Sequence, residues 1–173
     1  MVIRFDQGLK PLPEGVHLPR TEGLLGLTVW QGPDSDKQNL LFLHFVDEDA
    51  ANEHGRSVAE QILELEDYPI PPYQISHIVI SDEHGESGED MPTGSYMVMG
   101  NAHANPGFGS ELLAEFVQIG ADLHALPGYA GHKRGQEISD ADKVWYFSFW
   151  GIVPTLTVPA HLVDSTHIYQ KIR

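Results

Sequence analysis

Glu22-Gly23-Leu24-Leu25-Gly26 returns as Pro127-Gly128-Tyr129-Ala130-Gly131, and in both places the glycines open a pair of strands. The first pair spans 24–30 and 39–46, around the polar turn Gly32-Pro33-Asp34-Ser35-Asp36-Lys37. The second spans 129–135 and 143–151, around Glu137-Ile138-Ser139-Asp140-Ala141-Asp142. Without gaps, Gly23 matches Gly128, Gly26 matches Gly131, Gln31 matches Gln136 and Phe42 matches Phe147. A unit recurring at fixed spacing indicates an architecture assembled from copies. No linker-like stretch divides the chain, so the expectation is a single domain, 1–173, with two pseudo-repeated halves at 1–82 and 95–173.

Alternation along these strands separates two faces, because successive side chains of a strand point to opposite sides. Leu25, Leu27, Val29, Leu41, Leu43 and Phe45 form an all-apolar face that helices would cover. Two amphipathic segments can do so. In one, Val58, Ile62 and Leu65 form a stripe; the helix starts at Asp47 or, with the capping-box form Ser57-Val58-Ala59-Glu60, at Ser57, and Gly55 is a candidate break. In the other, Leu112, Phe116, Ile119 and Leu123 form the stripe and Ser110 is the expected cap. Residues 75–80 and 95–103 read as strands, 82–94 as a long acidic loop, 7–21 as an extended arm and 167–172 as an edge strand. Strand, helix, strand, strand, helix, strand between residues 39 and 151 is the ferredoxin-like order.

The fold class expected is therefore α+β: ferredoxin-like units with antiparallel sheets, two main helices and a barrel-like cavity. Helices cover one face of each sheet. The other face needs a second sheet, from the other half of the chain or from a second copy in a homodimer.

Composition excludes several chemistries. The 173 residues contain no cysteine, which removes disulfides, thiolate ligands and cysteine nucleophiles. A net charge of −15 repels phosphate backbones and anionic lipid, so neither nucleic acid nor membrane is an expected partner. Neither a signal-like N-terminus nor a run of eighteen apolar residues is present, and a cytoplasmic protein is expected. Phosphate-binding loops, the Gly-x-Ser-x-Gly elbow and His-Glu-x-x-His are absent from the sequence.

Pro127-Gly128-Tyr129-Ala130-Gly131-His132 after the second helix, followed by a polar turn and an aromatic strand ending in Trp150, resembles the antibiotic-biosynthesis monooxygenase-type domains of the dimeric α+β barrel superfamily. In the first half, Glu22-Gly23-Leu24-Leu25-Gly26 and the stretch from Phe45 to His54 resemble the second strand, third strand and second helix of such domains. The halves depart from the pattern in opposite ways, the first without an obvious leading helix and the second without a full trailing one. The resemblance implies activities from cofactor-independent oxygenation of phenolic or quinone-like compounds to haem degradation, which fold alone does not transfer.

On the face away from the helices fall Thr28, Trp30, Phe42, Met99, Trp145 and Phe147, an aromatic and thioether lining suited to a small hydrophobic molecule. Asn101 and His103 lie two apart at a strand end, and the resemblance suggests a polar asparagine there. The amide could hold a substrate oxygen and the imidazole could take a phenolic proton, with His44 a further catalytic candidate. No cofactor is required by that reading. Haem or a transition metal is the alternative, and His44, His77 and His103 would be the imidazoles to bind such a metal. His132-Lys133-Arg134 reads as an exposed basic turn. Three functions follow: an oxygenase-like enzyme for a hydrophobic aromatic molecule, a non-catalytic binding or regulatory protein with an acidic partner surface, or a histidine-metal enzyme.

Overall fold

The structure, a computed structural model, describes residues 2–5, 20–32, 39–64, 73–154 and 165–172. The proposed arm at 7–21 lies almost entirely outside them. Among the described residues are nine strands and two helices. In chain order they are β1 (Val2–Phe5), β2 (Leu24–Gln31), β3 (Asn39–Phe45), α1 (Glu48–Glu64), β4 (Tyr73–Ser76), β5 (Ile78–Gly85), β6 (Tyr96–His103), α2 (Gly109–Leu123), β7 (Tyr129–Glu137), β8 (Asp140–Trp150) and β9 (Ser165–Lys171).

The strands join in one antiparallel sheet of order β4-β1-β3-β2-β9-β6-β8-β7-β5. Its two end strands, β4 and β5, are consecutive in the chain with only His77 between them. The sheet therefore curls until its ends meet, which gives the α+β barrel. Each half has the ferredoxin-like strand order: β4-β1-β3-β2 in the first and β9-β6-β8-β7 in the second. The unit thus differs from the 39–151 segment that linear order suggested. Each unit takes its central strand, β1 or β6, from its own beginning.

Residues 167–172 do not form an edge. β9 pairs with β6 from Tyr96↔Gln170 to Asn101↔Ser165 and with β2 at Trp30↔Lys171 and Gln31↔Gln170, so it is the seam between the halves. Linear reading could not find this, because the partners of β9 lie about 70 and 140 residues earlier. β1 is a second addition to the expected elements, inserted between β3 and β4.

The first helix starts at the earlier of its two expected positions, and the second is capped differently from expectation. α1 runs unbroken through Gly55, which is buried, and Asp47 caps it by accepting from the Ala50 amide at 2.8 Å. Ser57 is mid-helix and its hydroxyl accepts from Gln61. At α2 no side chain of the preceding turn caps the helix. Asp142 of β8 supplies the anion instead, accepting from the Gly107 and Gly109 amides at 2.9–3.1 Å.

Three apolar clusters result. Leu41, Leu43 and Phe45 pack with Val58 of α1. Val98, Val144 and Trp150 pack with Phe116 and Leu123 of α2. The third cluster fills the barrel, where Trp30, Leu40, Phe42, Met97, Met99, Trp145, Phe147 and Phe149 meet from both halves. The two faces separated by alternation are thus segregated in the structure. The helix-free face of each half-sheet is covered by the other half of the same chain, so no second copy is needed for that purpose.

Phe42 and Phe147, equivalent in the repeat, meet edge to face at 5.2 Å between centroids. The opening glycines are equivalent too. Gly23 and Gly128 both adopt positive φ, 75° and 80°, which side chains rarely tolerate. A repeated polar device also holds the tryptophans: Trp30 Nε1 donates to Thr28 Oγ1 and Trp150 Nε1 to Ser148 Oγ, each at 2.8 Å.

Trp30 is fully buried inside the barrel. Its replacement by alanine should cost about 3–5 kcal/mol of stability, read as a lowered midpoint in urea unfolding.

Candidate functional site

β5 continues four residues past Ser81 to Gly85, pairing with β7, so the expected 82–94 loop begins only at Glu86. That loop is not a solvated excursion. It turns into the barrel, where Met91 is buried in the interior cluster and Gly88 lies between Phe149 and Trp30. Lys171 at the end of β9 holds it there, its Nζ donating to the carbonyls of Gly88 at 2.8 Å and Glu89 at 3.2 Å.

Glu89 follows the loop inward. Its Oε1 lies 3.5 Å from His44 Nδ1 and its Oε2 3.7 Å from Lys133 Nζ. Burial opposes its ionisation, but the His44 contact and the Lys133 ammonium outweigh burial and bring its pKa down to about 2. Lys133 is only 2% exposed. Its neighbours His132 and Arg134 are equally enclosed in β7, which corrects the exposed basic turn. Register explains the difference. Lys133 shares the interior face with Phe147, whereas His132 and Arg134 share the helix side with Ser148 and Tyr146. There His132 Nε2 lies 2.6 Å from Arg134 Nη2 and 3.0 Å from Asp82 Oδ2, Asp82 also pairs with Arg134 at 3.4 Å, and Tyr129 bonds to His132 Nδ1. Burial pushes the Tyr129 hydroxyl up to about 12.

A cavity of about 310 Å³ opens where the sheet ends meet. Phe42 and Phe147 line it, with Val2, Ile78, Ile80 and the exposed apolar residues Val79 and Ile138. Its polar lining comprises His44, Asp47, Glu48 and His77. No lysine or arginine is among these lining residues.

His77 occupies the single residue between β4 and β5. Its Nδ1 is 3.0 Å from Asn52 Oδ1 on α1. An amide oxygen only accepts, so Nδ1 carries the proton and Nε2 keeps its lone pair. Burial holds the pKa of this histidine below the ordinary imidazole value, so the ring is neutral at pH 7.

The sequence-derived candidates divide between cavity and core. His44, Phe42 and Phe147 line the cavity. Thr28, Trp30, Met99 and Trp145 are buried packing residues and do not line it. Their alternation put them on the interior face, but that face is mostly filled by its own aromatics. Asn101 and His103 also do not line this cavity. They sit at the C-terminal end of β6, where His103 Nε2 bonds to Asp140 Oδ2 at 2.8 Å and is exposed. The three imidazoles weighed as metal ligands therefore do not converge, and no group of three His, Asp or Glu among the described residues could hold a metal ion. Glu89 was missed because it lies in an acidic run with the composition of a surface loop. Its only sequence trace is Gly26, which is repeated and which leaves space for it.

No protein-family model matches the chain, nor does any curated protein. Solved structures do. A protein of Fusobacterium nucleatum described as a candidate monooxygenase aligns with 99% of this chain and 91% of its own, at TM-score 0.67 and 11% identity. An anthrone oxidase-like protein aligns with 99% and 90%, at 0.67 and 15%. A major regulator of staphylococcal pathogenesis aligns with 85% and 86%, at 0.52 and 8%. At these identities the likeness establishes the fold alone. No helix among the described residues is long and apolar enough to cross a membrane.

Glu89 has a depressed pKa, so its stabilising contribution is complete above the ordinary carboxylate range and is lost as pH falls towards its folded value of about 2. Wild type should exceed Glu89→Gln in stability by a constant margin above pH ~5 that shrinks to nothing towards pH ~2, measured by urea unfolding at each pH.

Proposed function

We propose that this chain is a small oxygenase-like enzyme that takes a hydrophobic aromatic molecule into the cavity above Phe42 and Phe147. The observation that carries the reading is His77: a neutral imidazole in the cavity wall, with its tautomer fixed by Asn52. That is the form a general base requires at neutral pH. A cavity of about 310 Å³ with apolar walls and few polar groups has the size and character of a small-molecule site, at the lower end of the usual ~300–1,000 Å³. The neighbours described as monooxygenase-like and anthrone oxidase-like support the same class.

The chemistry needs an acidic, electron-rich substrate. His77 removes a proton from a hydroxyl or an activated ring CH₂, and the resulting anion reduces dioxygen. For a ring CH₂, one oxygen atom becomes the carbonyl oxygen and the other leaves as water with both hydrogens of the CH₂. The substrate supplies all four electrons. Net charge −15 and the carboxylates of Asp47 and Glu48 at the cavity favour a substrate that arrives neutral over one that is already an anion.

The rival reading is a binding or regulatory protein, favoured by the regulator that shares this fold and by the acidic surface. It requires partner association that weakens with salt.

Oxygen uptake with hydroxylated aromatic and anthrone-type compounds tests the enzyme reading. His77→Ala should lower turnover roughly 10²-fold or more. Since burial lowers the His77 pKa, the acid limb of the rate profile should lie below the ordinary imidazole value of about 6.5. Full activity in His77→Ala with loss in Asn101→Ala/His103→Ala would transfer the base role to the strand-end pair.

A further inference from the structure

We infer that Glu89 is a positioning residue for His44, carried into the barrel by the 86–94 segment so that this cavity histidine, like His77, is committed to the Nδ1–H tautomer. The segment is pinned on both sides of Glu89. Upstream, the Glu86 amide donates to the Ala130 carbonyl at 3.0 Å; downstream, Met91 is buried among the interior aromatics. Between them the Lys171 ammonium grips the carbonyls of Gly88 and Glu89. The side chain then passes over β2 at Gly26, where a Cβ would stand 2.5 Å from Glu89 Cγ. Any other residue there would have to displace the carboxylate arm.

The two carboxylate oxygens divide between two partners. Oε2 faces Lys133, whose buried ammonium has a second carboxylate, Glu83, at 3.6 Å, and Oε1 faces Nδ1 of His44 at 3.5 Å. An ionised carboxylate accepts and cannot donate. At 3.5 Å the contact is an electrostatic one and not a hydrogen bond, and the negative field of the carboxylate favours the proton on the ring nitrogen nearest it, which leaves Nε2 of His44 as the atom to exchange a proton with a cavity ligand. Two cavity imidazoles, one on β3 and one just after β4, then both have Nδ1 turned towards an acceptor, Glu89 for the first and Asn52 for the second. Such outer partners fix the orientation and proton placement of a working histidine without touching the ligand themselves.

The catalytic consequence rests on the function proposed above; the tautomer does not. The test therefore has two arms. Long-range ¹H–¹⁵N correlation of the histidine rings at alkaline pH, with His44→Gln used to assign the signals, reports which nitrogen holds the proton. Wild type and Glu83→Gln, which also loses a Lys133 partner, should show His44 protonated on Nδ1. In Glu89→Gln the His44 signals should shift to an averaged or Nε2–H pattern. An Nε2–H ring in wild type, or a Glu89→Gln spectrum identical to wild type, overturns the inference. In the second arm, Glu89→Gln should lower kcat by roughly tenfold or more with little change in KM, Glu83→Gln should not, and an unchanged kcat in Glu89→Gln overturns the positioning role. A tautomer that responds in a protein with no oxygen uptake leaves the Glu89–His44 coupling standing and sinks the proposed function.

Discussion

Each half-sheet has one face that no helix covers, and burying those two faces against each other is the constraint on which the rest of the structure depends. The contact centres on Phe42 and Phe147 and extends through Trp30, Met97, Met99, Trp145 and Phe149. These residues cannot be satisfied by either half alone. Closing the sheet through β9 on one side and the β4–β5 connection on the other is what brings the two faces together. Apolar burial on this scale is the main favourable term of folding.

Filling the barrel has a consequence for where anything can bind. Large aromatics take up most of the interior, and the 86–94 segment takes up more by inserting Gly88, Glu89 and Met91. Space remains where the sheet ends meet, beside His44 and His77. The two units share a strand order but not their side chains: His44 in the first copy corresponds to Phe149 in the second, and Thr28 to Lys133. The polar equipment is consequently concentrated around one cavity. Placing Lys133 and Glu89 inside is expensive in desolvation, and each offsets the other's charge.

The strand faces, both helices and the equivalence of Phe42 with Phe147 were legible in the sequence because they follow from periods of 2 and 3.6 and from a fixed repeat. The interior position of Thr28, Trp30, Met99 and Trp145 was legible for the same reason. Whether an interior residue borders empty space was not. That depends on the volumes of side chains arriving from strands far away in the chain, as Trp30 meeting Phe149 illustrates. Caps were misplaced where the capping group came from another element, as with Asp142 at α2. Glu89 was hidden in a run that looks solvated, and only its neighbours Lys133, His44 and Gly26 distinguish it from Glu86 or Asp90.

Composition and periodicity by themselves determined an acidic, cysteine-free α+β chain with helix-covered strands and an aromatic inner face, because these properties are local or additive. Tertiary structure alone decided that β9 is the seam, that Lys133 and Glu89 are buried together, and that His44 and His77 share a cavity while Asn101 and His103 lie elsewhere. The physical reason is that register, sheet closure and loop insertion are set by contacts between segments distant in sequence. A strand's alternation says which side a residue faces, and only the opposing strand says what it meets there.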